Sequence, residues 1–115
     1  MSDTPNRFSD LQLQSDRNRI AFLRNELAVG ITLARLVKTE HKAGEHEAVK
    51  RSAAAGEKCY AMLERFLSDP KHATHISYEV RRELTGGMEQ LRKQLDELQR
   101  LYEHGTSPPV SISAS

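Results

Sequence analysis

Apolar residues recur at three- and four-residue steps in three long windows of this sequence, and residues that end helices separate the windows. Residues at these steps share one face of a helix, so each window predicts an amphipathic helix whose apolar stripe faces a common core. Gly44 follows the first window, and glycine readily takes the left-handed conformation that ends helices. Asp69-Pro70 follows the second, because proline cannot donate the next helical hydrogen bond. No strand is expected, since no run outside the windows alternates apolar with polar residues.

The chain of 115 residues has room for one hydrophobic core. Short connections make consecutive helices antiparallel neighbours, so the sequence predicts an all-α fold, an up-down-up three-helix bundle with flexible N- and C-terminal tails. The bundle is expected at 9–105, between a flexible N-terminus at 1–8 and a disordered C-terminal tail at 106–115. Its helices are predicted at about 9–42, 45–68 and 77–104.

Glycines stand at matching positions when the predicted apolar stripes are aligned across the two turns. Across the first turn, Gly30 faces Gly56. Across the second connection, Leu91 is expected opposite Gly56 and Tyr60 opposite Gly87, so that a large residue meets a small one. We therefore interpret these glycines as points where the helices pack closely.

Charge and composition argue against several classes of partner. Seventeen basic and sixteen acidic residues leave a net charge of +1, which supplies no long-range field to attract nucleic acid or anionic membrane. No stretch approaches the roughly 20 consecutive apolar residues of a membrane-spanning helix. A single cysteine, and a first segment without the apolar core of a secretory signal, indicate a reducing compartment. The expectation is a cytoplasmic protein that binds neither nucleic acid nor membrane.

Side chains able to carry chemistry form no diagnostic pattern. His41 and His46 lie near three carboxylates, but a predicted helix break separates them, whereas a helical metal pair needs both imidazoles on one face. Cys59 would be a nucleophile only beside a base, and no histidine shares its predicted helix face. The sequence therefore predicts no enzyme, no catalytic residue, no metal and no cofactor. The alternative is a small metal- or thiol-dependent enzyme or sensor that uses the His41/His46 turn or Cys59.

The first turn and the helix after it carry a family resemblance. The turn glycine, a following alanine, a small residue and an aromatic one stand in order at Gly44, Ala48, Gly56 and Tyr60. This pattern resembles tetratricopeptide-like hairpins, and it looks more like the three-helix microtubule-interacting-and-trafficking domains built on that hairpin. The likeness covers about residues 20–100 in outline, and it departs from the pattern at Leu63, where alanine is expected. The resemblance implies a module that binds a partner helix or peptide in an interhelical groove.

The first two helices carry apolar residues that the core stripes do not use. They form a second strip on each helix, and equal rotation of antiparallel helices brings both strips to one side of the hairpin. We call the following set the hairpin strip: Phe22, Val29, Leu33, Leu36, Cys59, Met62 and Phe66. Helix 3 can cover only part of it, because the apolar stripe of that helix has the width of an ordinary amphipathic helix.

Two interpretations of the hairpin strip remain at this point. A wide apolar arc can simply surround helix 3, or the strip can be an interface for a partner helix or a second copy of the chain. The second interpretation is preferred, with a homodimer as the first expectation, because two-fold self-association is common among soluble proteins. The function expected from the sequence is a non-catalytic protein-protein interaction or self-association module.

Overall fold

The computed structural model describes the backbone of residues 3–114 and the side chains of residues 8–102. Its helices are α1 (Asp3–Lys42), α2 (His46–Ser68), α3 (Pro70–Ala73) and α4 (Tyr78–Ala114). The described backbone contains no strand, so the all-α prediction is confirmed for that part of the chain. The number of helices differs from the prediction, because α3 was not expected.

Helices α1 and α4 extend beyond the limits predicted from the sequence. The first begins at Asp3 instead of near residue 9, and the last continues to Ala114 instead of ending near residue 104. The flexible segments predicted at 1–8 and 106–115 fall almost entirely on residues outside the described side chains. Their flexibility therefore stays a prediction.

The turn between α1 and α2 has the geometry expected of its glycine. Gly44 has a φ of 74°, in the left-handed region. Its N–H donates to the carbonyl of His41 at 3.1 Å, and the N–H of Glu45 donates to the carbonyl of Glu40 at 2.9 Å. These two bonds form a Schellman motif, which satisfies carbonyls that the end of a helix leaves unpaired.

The connection between α2 and α4 contains the short helix α3, which the sequence did not predict. Asp69 ends α2, and its side chain then accepts a hydrogen bond from the N–H of Lys71 at 2.9 Å, so the same residue caps α3. Pro70 occupies the first turn of α3, where a missing N–H costs nothing and the fixed φ suits a helix. Aspartate followed by proline thus ends one helix and begins the next, whereas the sequence predicted only the end of α2.

The core contains side chains from α1, α2 and α4, together with Ile76 from the connection before α4, in two clusters along the helices. Full burial of a leucine contributes about 1.5–3 kcal/mol, so these rows drive the long helices together. The cluster toward α3 consists of Leu23, Leu63, Leu67, Ile76, Leu84 and Met88. The cluster toward the Gly44 turn consists of Ala34, Val37, Val49, Leu91, Leu95 and Leu98.

The register of the α1–α2 hairpin agrees with the one predicted by aligning the apolar stripes of the two helices. The carbonyl oxygen of Gly30 lies 4.0 Å from the point that a Cβ on Gly56 would occupy. Leucines of α4 pack against the same two glycines. Leu91 Cδ2 lies 2.8 Å from the Cβ position of Gly30, and Leu95 Cδ2 lies 3.1 Å from that of Gly56. The large-to-small fit is therefore present.

The partners in that fit were predicted wrongly for α4. Leu95 instead of Leu91 fills the space at Gly56, and Leu27 instead of Tyr60 lies against Gly87. Heptad stripes can slide past each other by a helical turn without changing the buried face, so periodicity does not determine which leucine meets Gly56. Nor does it determine which of the two hairpin helices packs on Gly87.

Two bidentate ion pairs connect α4 to the hairpin and match its observed register. Arg24 of α1 donates to Glu83 at 2.8 and 2.9 Å, and Arg92 of α4 donates to Glu57 of α2 at 2.7 and 2.8 Å. The hydrogen bond from Arg24 lowers the pKa of the Glu83 carboxyl, and the bond to Glu57 raises the pKa of Arg92. Exposed pairs of this kind add little stability, but their fork geometry favours one alignment of the helices.

Candidate interaction surface

The structure exposes most of the hairpin strip. Four of its seven residues keep 37–42% of their surface exposed, Leu33 and Phe66 are half-buried, and Cys59 is buried. The exposed four are Phe22, Val29, Leu36 and Met62. Phe66 also packs against the core cluster toward α3, whereas the other strip residues belong to neither described cluster. Among the described side chains, the strip therefore leaves apolar surface that the core does not cover exposed to solvent.

Contacts across the hairpin join the α1 and α2 parts of the strip. The rings of Phe22 and Phe66 lie 5.3 Å apart, a distance typical of an aromatic pair. Leu33 of the strip also approaches α2, where its Cβ lies 3.9 Å from the Cβ position of Gly56, a buried residue outside the strip. The strip is consequently one surface that crosses the seam between two helices.

His72 of α3 extends this surface beyond the end of α2. Its ring stacks on Phe66 with centroids 4.2 Å apart, and its Nδ1 accepts a hydrogen bond from Arg19 Nε at 3.2 Å. Arg19 in turn donates to Asp16 at 2.9 Å. The available signal was Asp69-Pro70, because the helical turn that it starts brings His72 back over the end of α2.

Cys59 lies beneath the strip instead of on its surface. Only 8% of the residue is exposed, and its Cβ lies 3.2 Å from the Cβ position of Gly30. Burial raises the pKa of the Cys59 thiol, and the negative charge of the nearby Glu26 carboxylate raises that pKa further. A raised pKa keeps the sulfur protonated, whereas the thiolate is the reactive nucleophile. Cys59 is therefore buried between the two helices with its thiol protonated.

The two turn histidines remain on separate helices. His41 is half-buried in the last turn of α1, and His46 is exposed as the first residue of α2. Among the described residues, no group of three or more His, Cys, Asp or Glu side chains is arranged to hold a metal ion. These positions offer no assembled site to which a chemical step can be assigned.

The edges of the hairpin strip differ in charge. Along α2, one helical turn from Met62 of the strip or from Ala55, which lies outside the defined strip, stand the exposed cations Arg51, Lys58 and Arg65. None of them forms an ion pair with another described residue. Along the outer edge of α1 stand the exposed neutral residues Asn18, Asn25 and Thr32. Both rows repeat every seven residues, so each follows one side of its helix.

Comparisons with known proteins add no relative for this surface. No family model, curated protein or solved structure matches the chain. The likeness to tetratricopeptide-like hairpins and to microtubule-interacting-and-trafficking domains therefore stays a prediction. Within the described residues, no helix has the length and apolar character needed to cross a membrane.

Proposed function

We propose that this chain is a non-catalytic helical module for protein-protein interaction or self-association, built as an up-down-up bundle of three long helices. The observation that carries the proposal is the exposed row Phe22, Val29, Leu36 and Met62 on the α1–α2 hairpin. Contiguous apolar surface is unfavourable in water and commonly marks an interface. An added amphipathic helix would bury this row with its own apolar face, as in helix-in-groove recognition.

The added helix comes either from a second copy of the chain or from a partner protein. The two-fold dimer expected from the sequence is one form of the proposal, since the same strip on each copy can meet its equivalent. The metal- or thiol-dependent alternative has less support, because burial holds Cys59 protonated and the Gly44 turn separates His41 from His46.

Light scattering on the wild type and on Val29→Glu and Met62→Glu variants tests self-association. Tyr78→Glu is the matched control, because Tyr78 is a large side chain, 74% exposed, that lies outside the strip. If the strip joins two copies, both strip variants become monomers and keep their helical circular dichroism, while the control remains a dimer. A wild-type dimer that persists in both strip variants would place the contact elsewhere.

If the wild type is a monomer, affinity capture from cells of the native host tests partner binding with the same variants. We expect proteins that are retained by the wild type and by Tyr78→Glu but are lost with Met62→Glu. Equal retention by all three proteins would contradict a role for the strip.

A further inference from the structure

We propose that the hairpin strip binds an amphipathic helix of a partner protein. One edge of that helix carries a row of acidic residues, which form ion pairs with Arg51, Lys58 and Arg65. The inference rests on the proposed function, because it assumes that the strip binds a helix. It adds the charge and the orientation of that helix.

The geometry of the three cations matches one edge of a bound helix. They stand seven residues apart, so each step covers two helical turns, roughly 10.5 Å along α2. Carboxylates at the same spacing on a helix packed along α2 would meet them in register. All three side chains are exposed and free of ion pairs with described residues, so binding breaks no existing bridge. The nearest carboxylate along the row, Glu47, faces Lys50 at 3.9 Å.

The α1 side of the surface determines which edge of the partner is acidic. Its outer edge is neutral, and two carboxylates, Glu26 and Glu40, stand at helical spacing beside the strip residues of α1. Both side chains are half-buried, and one Glu40 oxygen is buried without a hydrogen-bond partner. An acidic row over α1 would meet these like charges, whereas the same row over α2 meets cations. The acidic edge therefore lies over α2.

The charge pattern also distinguishes a partner protein from a second copy. A second copy offers, on the same face, the same cations, the same neutral edge and only two carboxylates, Glu26 and Glu40, which are both half-buried and form no row of three. A two-fold arrangement that stacks α2 on α2 would bring two basic rows together, which is unfavourable. Two carboxylates elsewhere in the chain are already engaged, Glu83 with Arg24 and Glu57 with Arg92. An acidic helix from another protein therefore fits this surface better than a second copy does.

Binding of two designed helical peptides to the full-length protein tests the inference by fluorescence anisotropy. Both are about 21 residues long, enough to follow the cation row, and carry the same leucine stripe. One has Glu at every seventh position along one edge, and the other has Gln there. The proteins are the wild type, the Arg51→Glu/Lys58→Glu/Arg65→Glu variant and Met62→Glu. The charge-matched control is Arg35→Glu/Arg82→Glu/Arg100→Glu, which changes three exposed cations elsewhere.

We expect the wild type to bind the Glu peptide about tenfold more tightly than the Gln peptide at low salt, since exposed ion pairs contribute modestly and additively. The preference should disappear in the Arg51/Lys58/Arg65 variant, persist in the control, and decrease as salt is added. Met62→Glu should lose both peptides.

Other results overturn the inference and separate it from the proposed function. If the wild type binds both peptides equally and Met62→Glu binds neither, the strip binds a helix but does not distinguish its charge. No binding of either peptide, together with a dimer that Met62→Glu dissociates, would make a second copy the occupant. Binding of the Glu peptide that Met62→Glu leaves unchanged would remove the strip from both proposals.

Discussion

The α1–α2 hairpin has two apolar faces, and they differ in how well they are covered. Leu63 and Met62 are adjacent in α2, yet Leu63 is fully buried while 37% of Met62 remains exposed. The inner face has glycines at Gly30 and Gly56 that receive leucines of α4. The outer face has aromatic and branched side chains that cover one another only in part. Apolar character therefore brings a side chain into the core only when another helix has a matching surface.

The largest expected effect is the difference in stability between two alanine variants, one on the inner face and one on the outer face. Leu63→Ala should cost about 2–5 kcal/mol of unfolding free energy, the usual range for a buried leucine. Met62→Ala should cost less than about 1 kcal/mol, because exposed positions contribute little. Urea denaturation followed by circular dichroism measures both. Equal losses would mean that the two faces do not differ as described.

The next effect concerns the glycines at the seam between the two helices. A Cβ on Gly30 would lie 3.2 Å from Cys59 Cβ, which is fixed to the backbone of α2, and 2.8 Å from Leu91 Cδ2. A Cβ on Gly56 would lie 3.1 Å from Leu95 Cδ2, the flexible end of a side chain. Gly30→Ala should therefore destabilise by about 1–3 kcal/mol, as overpacking does.

Gly56→Ala should be nearly neutral, because a gain in helix propensity of about 1 kcal/mol offsets a small shift of Leu95. Gly56→Leu should disrupt the packing. The same urea titrations test all three variants, and a Gly56→Ala variant less stable than Gly30→Ala would contradict the described seam.

A smaller effect, of opposite sign, is expected in the covering helix α4. Nothing lies within 4 Å of the Cβ position of Gly86, whereas that of Gly87 meets Leu27. Gly86→Ala should stabilise the protein by about 0.5–1 kcal/mol, since alanine restricts the unfolded chain and favours helix. Gly87→Ala should gain less or destabilise. Thermal unfolding of the two variants measures the difference, and a larger gain at Gly87 would place α4 differently against the hairpin.

The smallest effect concerns Cys59, which lies between the two faces. Because its folded-state pKa is raised, the protonated thiol stabilises the fold fully below the unfolded-state pKa, and this contribution is lost as pH rises through the folded-state pKa. The wild type should therefore lose stability relative to Cys59→Ala above about pH 8.5, the ordinary thiol pKa.

Thiol chemistry provides a second measurement of the same burial. Ellman's reagent should react with native Cys59 much more slowly than with the exposed thiol of a Cys59→Ala/Thr39→Cys variant. Equal rates would mean that Cys59 is open to solvent and belongs to the outer face.

Helix limits near the turns could be predicted from the sequence because their causes are local. Gly44 ends α1 through the conformational freedom of one residue, and Pro70 ends α2 by withholding one hydrogen bond. Helix α3 was missed although its signal is also local, since the Asp69 cap and Pro70 stand next to each other. The hairpin strip likewise followed from periodicity within single helices.

The sequence by itself determined the all-α class, the end of α1 at the Gly44 turn, the end of α2 before Pro70, the two apolar faces of the hairpin and the pairing of Gly30 with Gly56. Only the tertiary structure decided which leucines of α4 enter the hairpin, where Leu27 meets Gly87, and how deeply Cys59 is buried. The reason is physical. Periodicity specifies the face that a helix buries, but sliding by one turn preserves that face. The position along the axis depends on side-chain shapes and ion pairs between residues far apart in the sequence, such as Arg24 with Glu83.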